Sequence, residues 1–78
     1  MNQCIINIIE KSVFVAFTQI VVKGSIEVWS LEGDEEPIIT KDVLGTNFES
    51  INLQLEKGKY KLEITMDGEH ISKTINIK

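Results

Sequence analysis

Apolar residues alternate with polar ones along the C-terminal part of the chain. The apolar residues are Tyr60, Leu62, Ile64 and Met66, and the polar residues between them are Lys61, Glu63 and Thr65. A period of two is typical of a β-strand that has one face on a core and the other in water. Asp67-Gly68 follows, and such a pair accepts positive φ at both central positions of a tight hairpin turn. We therefore predict a β-hairpin in which a second run, with Ile71, Ile75 and Ile77 on one face, follows the turn.

The rest of the chain divides into short segments with turn signals about ten residues apart. Apolar or alternating residues occupy five segments, at positions 4–9, 13–18, 26–31, 38–44 and 48–55. We expect residues 18–25 to form a connection, because Lys23-Gly24-Ser25 is a turn by composition. No segment has a helical period of useful length. Short strands separated by turns are typical of a sandwich or a small barrel, so we predict one all-β domain over residues 1–78, an antiparallel β-sandwich.

The same period selects the residues that face the core. The predicted core consists of Val13, Val15, Phe17, Ile26, Val28, Ile51, Leu53, Tyr60, Leu62, Ile64, Ile75 and Ile77. Segment 4–9 is apolar almost throughout, so its inward face is not decided. An open sandwich keeps edge strands, and residues 5–9 carry few charges that would prevent pairing with a second copy. We therefore expect a monomer or a weak homodimer.

Length and charge exclude several classes of function. The 78 residues suit a single domain, and the net charge is −4. None of the eight basic residues is arginine, whereas nucleic-acid binding needs a basic surface and reads bases most often through guanidinium groups. No apolar run reaches the roughly 18 residues of a membrane-spanning helix. We expect neither a nucleic-acid partner nor a membrane span.

Residues 55–62, Leu-Glu-Lys-Gly-Lys-Tyr-Lys-Leu, carry a short motif. It resembles the Leu-x-x-Gly-x-Tyr signature at the corner that enters strand F of immunoglobulin-like sandwiches. In that family the tyrosine hydroxyl bonds to backbone a few residues upstream. The resemblance implies a structural corner formed by Gly58 and Tyr60, in an immunoglobulin-like β-sandwich of about seven strands.

The order of segments along nearly the whole chain is similar to that of short secreted domains of unknown function from gut anaerobic bacteria. The segments that carry this resemblance are Val13-x-Val15-x-Phe17, Ile26-x-Val28, the acidic glycine turn, a strand without clear alternation, Gly58-x-Tyr60-x-Leu62 and the closing hairpin. The C-terminal part also resembles the sorting domain of proteins exported by the type IX secretion system. Those domains end in a Gly-x-Tyr strand, a turn and a lysine-containing strand, as Gly58, Tyr60, Lys73 and Lys78 do here.

These resemblances imply an extracytoplasmic protein and supply no catalytic residue. Positions 1–10 lack the basic region and the small-residue cleavage site of a signal peptide. An extracytoplasmic location therefore assumes that a leader has been removed, and a cytoplasmic location stays open.

Candidate catalytic and metal-binding residues are few. Cys4 is the only cysteine, so no internal disulfide forms, and in an apolar segment it is expected to be a small buried hydrophobe. His70 lies beside the predicted turn and is expected to be solvated. The acidic residues of one turn are Glu32, Asp34, Glu35 and Glu36; we expect a solvated turn, with weak calcium binding as the alternative. No catalytic residue or cofactor is predicted.

Trp29 is the candidate for a binding surface. It has the opposite phase to Ile26 and Val28, so it faces away from the predicted core. We expect the indole to pack beneath a loop; an exposed indole that stacks on a sugar or on a protein is the alternative. We expect a non-catalytic module with a binding or structural role, whose partner is an unidentified protein or glycan. A sorting or anchoring domain and a carbohydrate-binding module are the alternatives.

Overall fold

A computed structural model describes residues 3–31 and 35–78. These residues form seven β-strands and no helix. The strands are β1 (Cys4–Ile9), β2 (Ser12–Val21), β3 (Gly24–Ser30), β4 (Ile39–Val43), β5 (Thr46–Asn52), β6 (Gly58–Met66) and β7 (Glu69–Ile77). Every strand pair is antiparallel, so the predicted all-β antiparallel fold is confirmed.

The strands form the two sheets of a sandwich. The three-stranded sheet has the order β1-β2-β5, and the four-stranded sheet has the order β4-β3-β6-β7. The chain crosses from one sheet to the other after β2, after β4 and after β5. In constant-type immunoglobulin domains the fourth strand lies in the same sheet as the first two, whereas here β4 pairs with β3. The remaining strands are divided between the sheets as in those domains.

The core lies between the sheets and includes buried side chains from every strand except β1. All the predicted core residues are buried except Tyr60, which is half-buried and packs against the margin of the core. Its hydroxyl explains this position, because a tyrosine keeps its polar end near the surface or a partner. The buried residues that the prediction missed are Val21, Val43 and Met66.

The expectation that residues 18–25 form a connection is wrong. β2 continues to Val21 and β3 begins at Gly24, so only Val22 and Lys23 connect the two strands. Residues 18–20 are all exposed, and Val21 is buried again. The pairing of β2 with β5 shifts register within this stretch. Such an irregularity interrupts the alternation from which strand ends are predicted.

β4 and β5 also differ from their predicted bounds. β4 is shorter than segment 38–44, and β5 begins and ends earlier than segment 48–55. Leu53 follows the end of β5 but stays buried. Its N–H donates to the carbonyl oxygen of Lys11 at 2.6 Å, so the β1–β2 turn holds this part of the chain against the core.

Among the described strands, β1 lies at an edge of its sheet and pairs only with β2. Cys4, Ile6 and Ile8 pack against the core, whereas Ile5 and Ile9 are 64% and 62% exposed. An edge strand leaves backbone groups unpaired and available to another strand. The expected monomer or weak homodimer stays a prediction.

The turn between β6 and β7 has the geometry that the sequence predicts. Asp67 and Gly68 have φ angles of 47° and 88°, and both angles are positive as a type I′ turn requires. The turn pairs Met66 with Glu69, and a fixed register sets which side chains share a face. The predicted hairpin is therefore confirmed.

Candidate functional site on the four-stranded sheet

The outer face of the four-stranded sheet carries an aromatic ring among ionisable side chains. Side chains of β3, β6 and β7 alternate between the two faces of the sheet, so the residues between the inward-facing ones point outward. These outward residues line a shallow depression of about 310 Å³, here called the Trp29 surface, which consists of Glu27, Trp29, Lys61, Glu63 and His70. Strand register places Trp29 opposite Lys61 and Glu27 opposite Glu63. β3 and the β6–β7 hairpin, which are distant in sequence, therefore build one surface.

Trp29 is half-buried on the outward side of β3. The Lys61 ammonium lies 6.0 Å from the centroid of the Trp29 ring, a distance at which the ring attracts a cation. The indole Nε1 is buried and has no hydrogen-bond acceptor among the described residues. The ring therefore lies outside the core, as the phase of its strand predicts, and it sits beside a positive charge.

Glu63 is the centre of the hydrogen bonds on this surface. Its carboxylate accepts a hydrogen bond from the Ser72 hydroxyl at 2.9 Å, and the Lys61 ammonium lies 3.2 Å away. His70 bonds to the second carboxylate oxygen through Nε2, and its Nδ1 lies 3.3 Å from the Thr65 hydroxyl. Burial by itself would raise the pKa of Glu63, but the three donors outweigh that effect and lower the pKa. At neutral pH Glu63 is therefore an ionised carboxylate whose oxygens already have partners.

Glu27 differs from Glu63 in having no ion pair with any other described residue. The two glutamates are direct cross-strand neighbours on β3 and β6. Like charges in such positions destabilise a sheet. The donors to Glu63 lie on β6 and β7, and Glu27, beside Trp29, has no ion-pair partner in the described part of the chain.

The structure does not bring Cys4 and His70 together. Cys4 faces inward on β1 of the three-stranded sheet, and His70 is exposed on the outer face of the four-stranded sheet. Burial raises the pKa of the Cys4 thiol, and the nearby Lys73 only partly offsets this effect. A raised pKa disfavours the thiolate, which is the reactive form of cysteine.

Gly58 and Tyr60 lie where the chain enters β6 from the three-stranded sheet. The Tyr60 hydroxyl donates to the carbonyl oxygen of Glu56 at 2.9 Å. Gly58 has a φ of 151°, a conformation that residues with a Cβ rarely adopt. The two residues of the motif therefore have separate roles, since the glycine permits the backbone path and the tyrosine ties β6 to the connection that precedes it.

Sequence reasoning missed a second role of Asp67. Its two carboxylate oxygens accept hydrogen bonds from the N–H groups of Val22 and Lys23, at 3.1 Å and 2.9 Å. The Asp67 N–H in turn donates to the carbonyl oxygen of Lys23 at 3.0 Å. The turn of the hairpin thus also fastens the crossing from β2 to β3. No local signal reveals this contact, because Asp-Gly is explained by the turn alone.

The outer face of the three-stranded sheet is different in kind. Phe14 and Phe48 stack there with ring centroids 6.3 Å apart, and Phe48 is 50% exposed. On the same face, Ala16 of β2 lies between its cross-strand partners, Ile5 on β1 and Phe48 on β5. The outward cross-strand partners of the two rings are Asn7, Ala16 and Ser50, and none of these three is ionisable.

Two further regions carry clusters of polar side chains. An open cleft of about 810 Å³ is lined by Ile8, Glu10, Lys11, Ser12, Asn52, Asn76 and Lys78. No aromatic side chain and no histidine line this cleft. In the acidic turn, Glu32 and Asp34 lie outside the described residues, and Glu35 and Glu36 are exposed. Calcium binding there stays a prediction.

Comparisons with known proteins leave the family open. No protein-family model matches the chain, and no curated protein matches it. Among the described residues, no helix is long and apolar enough to cross a membrane. Function must therefore be inferred from the geometry of the chain's own side chains.

Proposed function

We propose that this β-sandwich is a non-catalytic binding module of an extracytoplasmic protein and that it holds its partner, a protein or a glycan, on the Trp29 surface. The observation that carries the proposal is the position of Trp29, outside the core and among ionisable side chains. Tryptophan is enriched among the residues that dominate binding energy at interfaces. Polar groups around such an anchor orient the partner.

The proposal of a non-catalytic module is supported by the placement of the two most reactive side chain types. Cys4 and His70 belong to different sheets, and burial raises the pKa of the Cys4 thiol. A nucleophile needs a base within hydrogen-bond reach or a lowered pKa. The extracytoplasmic location is supported by the resemblance to secreted sandwich domains described above.

The Trp29 surface is a better candidate than the other outer face. Phe48 and Phe14 supply apolar area, but specific sites combine apolar surface with a few placed polar groups. Lys61, Glu63 and His70 supply such groups beside Trp29. A partner that needs orientation as well as contact is therefore expected on the four-stranded sheet.

The proposal can be tested with tryptophan fluorescence, since Trp29 is the only tryptophan in the chain. A panel of a basic peptide, an acidic peptide, a neutral peptide and a neutral oligosaccharide would be titrated to millimolar concentration. At least one of them should change the emission saturably. Amide chemical shifts in the same titration should change along β3 and β6. A panel with no saturable response at Trp29 would overturn the proposal.

Two variants separate binding from folding in this test. Trp29→Thr places a good strand former on the outer face and should fold but no longer bind, as followed by amide chemical shifts. Phe48→Ser is the matched control, because it removes an exposed ring from the other sheet and should leave binding unchanged. Loss of binding in Phe48→Ser and not in Trp29→Thr would move the site to the three-stranded sheet.

A further inference from the structure

We propose that the Trp29 surface binds a cationic side chain, in particular the guanidinium group of a basic peptide segment. This inference rests on the proposed binding role and names its ligand class. The ligand cation would lie on the indole ring of Trp29 and pair with the carboxylate of Glu27. Three features of the surface lead to this assignment.

The first feature is that a cation of the chain itself already occupies part of this surface. The Lys61 ammonium is held near the Trp29 ring, 6.0 Å from its centroid, and 3.2 Å from a carboxylate oxygen of Glu63. An aromatic ring together with a carboxylate is the environment that proteins use to recognise cations. Lys61 therefore shows which kind of group this environment accepts.

The second feature is the imbalance between carboxylates and cations. Glu63 is engaged by Lys61, Ser72 and His70, whereas Glu27 has no ion pair among the described residues. The two glutamates are cross-strand partners on β3 and β6, and like charges in such positions are unfavourable. A cation bound next to Glu27 would supply the ion-pair partner that this carboxylate lacks among the described residues.

The third feature is that the two basic side chains of this surface already have a carboxylate partner. The ammonium of Lys61 and the Nε2 of His70 both already bond to Glu63. An acidic ligand would compete with Glu63 for these two side chains and would approach Glu27, which has no ion pair among the described residues. The net charge of −4 also steers cations toward the protein and anions away from it.

The shape of the surface favours a peptide side chain over a small free molecule. The depression holds about 310 Å³, at the lower end of the roughly 300–1,000 Å³ found for small-molecule sites, and it is shallow. Guanidinium is preferred to ammonium because its plane stacks on an aromatic face while its donors form a fork that matches a carboxylate.

The test compares three peptides that differ at one residue. An arginine peptide, its lysine counterpart and its citrulline counterpart are titrated by calorimetry and by amide chemical shifts. Citrulline keeps the shape of arginine and lacks the charge. We expect saturable binding in the order arginine, lysine, citrulline, and weaker binding at raised ionic strength because exposed charges are screened.

Two variants of the protein are expected to change affinity in opposite directions. Glu27→Gln should bind the arginine peptide about fivefold more weakly, the upper end for loss of one exposed ion pair. Lys61→Met should bind it several-fold more tightly, because it removes the competing cation from the ring. Glu56→Gln changes the net charge as Glu27→Gln does, at an exposed site between β5 and β6, and should leave affinity nearly unchanged.

The outcomes distinguish this inference from the proposed function. Equal binding of citrulline and arginine, weaker binding by Lys61→Met, or equal losses in Glu27→Gln and Glu56→Gln would each overturn the cation assignment. If an acidic peptide or an oligosaccharide binds at Trp29 and the arginine peptide does not, the assignment fails and the binding role stands. If no probe perturbs Trp29, both fail.

Discussion

Two crossings between the sheets are held by side chains in different ways. At the crossing from β5 to β6, Tyr60 bonds to the carbonyl of Glu56, four positions earlier in the chain. At the crossing from β2 to β3, the Asp67 carboxylate bonds to the N–H groups of Val22 and Lys23, 45 and 44 positions away. The first device lies within one stretch of sequence, and the second joins two distant turns.

This difference decides what can be recognised in a sequence. The contact of the Gly-x-Tyr motif can be inferred from local sequence, because the hydroxyl and its acceptor are close together in the chain. The contact of Asp67 exists only after β3 and β6 have paired, since that pairing brings the two turns to the same end of the sheet. The more distant device should therefore form later in folding and depend more on the surrounding packing.

Gly24→Ala should have the largest effect, because it acts on the distant crossing. A Cβ at Gly24 would lie 2.2 Å from the carbonyl oxygen of Thr65, which is backbone of the paired strand and cannot move aside alone. We expect a loss of about 3 kcal/mol. A domain of 78 residues has roughly 4–12 kcal/mol in total. Urea denaturation with Ser25→Ala as the neighbouring control measures this, and similar midpoints for the two variants would show that the strands need not approach so closely.

Tyr60→Ala should rank next and breaks the local crossing. It removes both the ring and the hydroxyl. Large aromatic truncations in cores cost roughly 3–5 kcal/mol, and the half-buried position of Tyr60 lowers our expectation to about 2–3 kcal/mol. Tyr60→Phe keeps the ring and should lose about 1 kcal/mol, the net value of one hydrogen bond. Chemical denaturation of both variants separates the contribution of the ring from that of the hydroxyl. An unchanged free energy of unfolding in Tyr60→Phe would assign the whole effect to the ring.

Asp67→Asn sharpens the comparison, because asparagine tolerates the same backbone conformation in the turn. It has one acceptor oxygen in place of two and places an NH₂ group near a backbone donor. We expect a loss of about 1 kcal/mol, with a type I′ turn retained. Thermal denaturation measures the loss, and protection of the Val22 and Lys23 amides from hydrogen exchange should fall. Unchanged protection would mean that the carboxylate does not fasten this crossing.

Glu63→Gln should have the smallest effect, because its hydrogen bonds lie within one sheet and fasten no crossing. At pH 7 we expect a loss of about 0.5 kcal/mol, as for other partly exposed ion pairs. The folded-state pKa of Glu63 is lowered from its ordinary value of 4.5, so its contribution is fully present above that pH and is lost as pH falls through the lowered pKa. The difference in unfolding free energy between the variant and the parent protein should therefore shrink below pH 4.5. A difference that stays constant down to pH 2.5 would contradict the assigned cause.

The sequence predicted most of the core because a period of two selects faces without knowledge of strand partners. It failed at Tyr60, whose hydroxyl keeps it at the margin of the core. It also failed at residues 18–25, where the register shift and three exposed residues hide the end of β2. Local irregularities of this kind depend on how a strand pairs with its neighbour, so the alternation of apolar and polar residues within one strand does not predict them.

The candidate site shows the same division between local and distant information. The Asp-Gly turn sets the register of β6 against β7, so the closeness of Glu63 and Ser72 follows from sequence once the turn is known. The pairing of β3 with β6 does not, because the two strands are separated by β4, β5 and both intervening crossings. The outward phase of Trp29 was thus determined by the sequence, but its neighbours Lys61 and Glu63 were decided by tertiary structure. The physical reason is that the buried face of a strand follows from the alternation within that strand, whereas a binding surface depends on the register between strands.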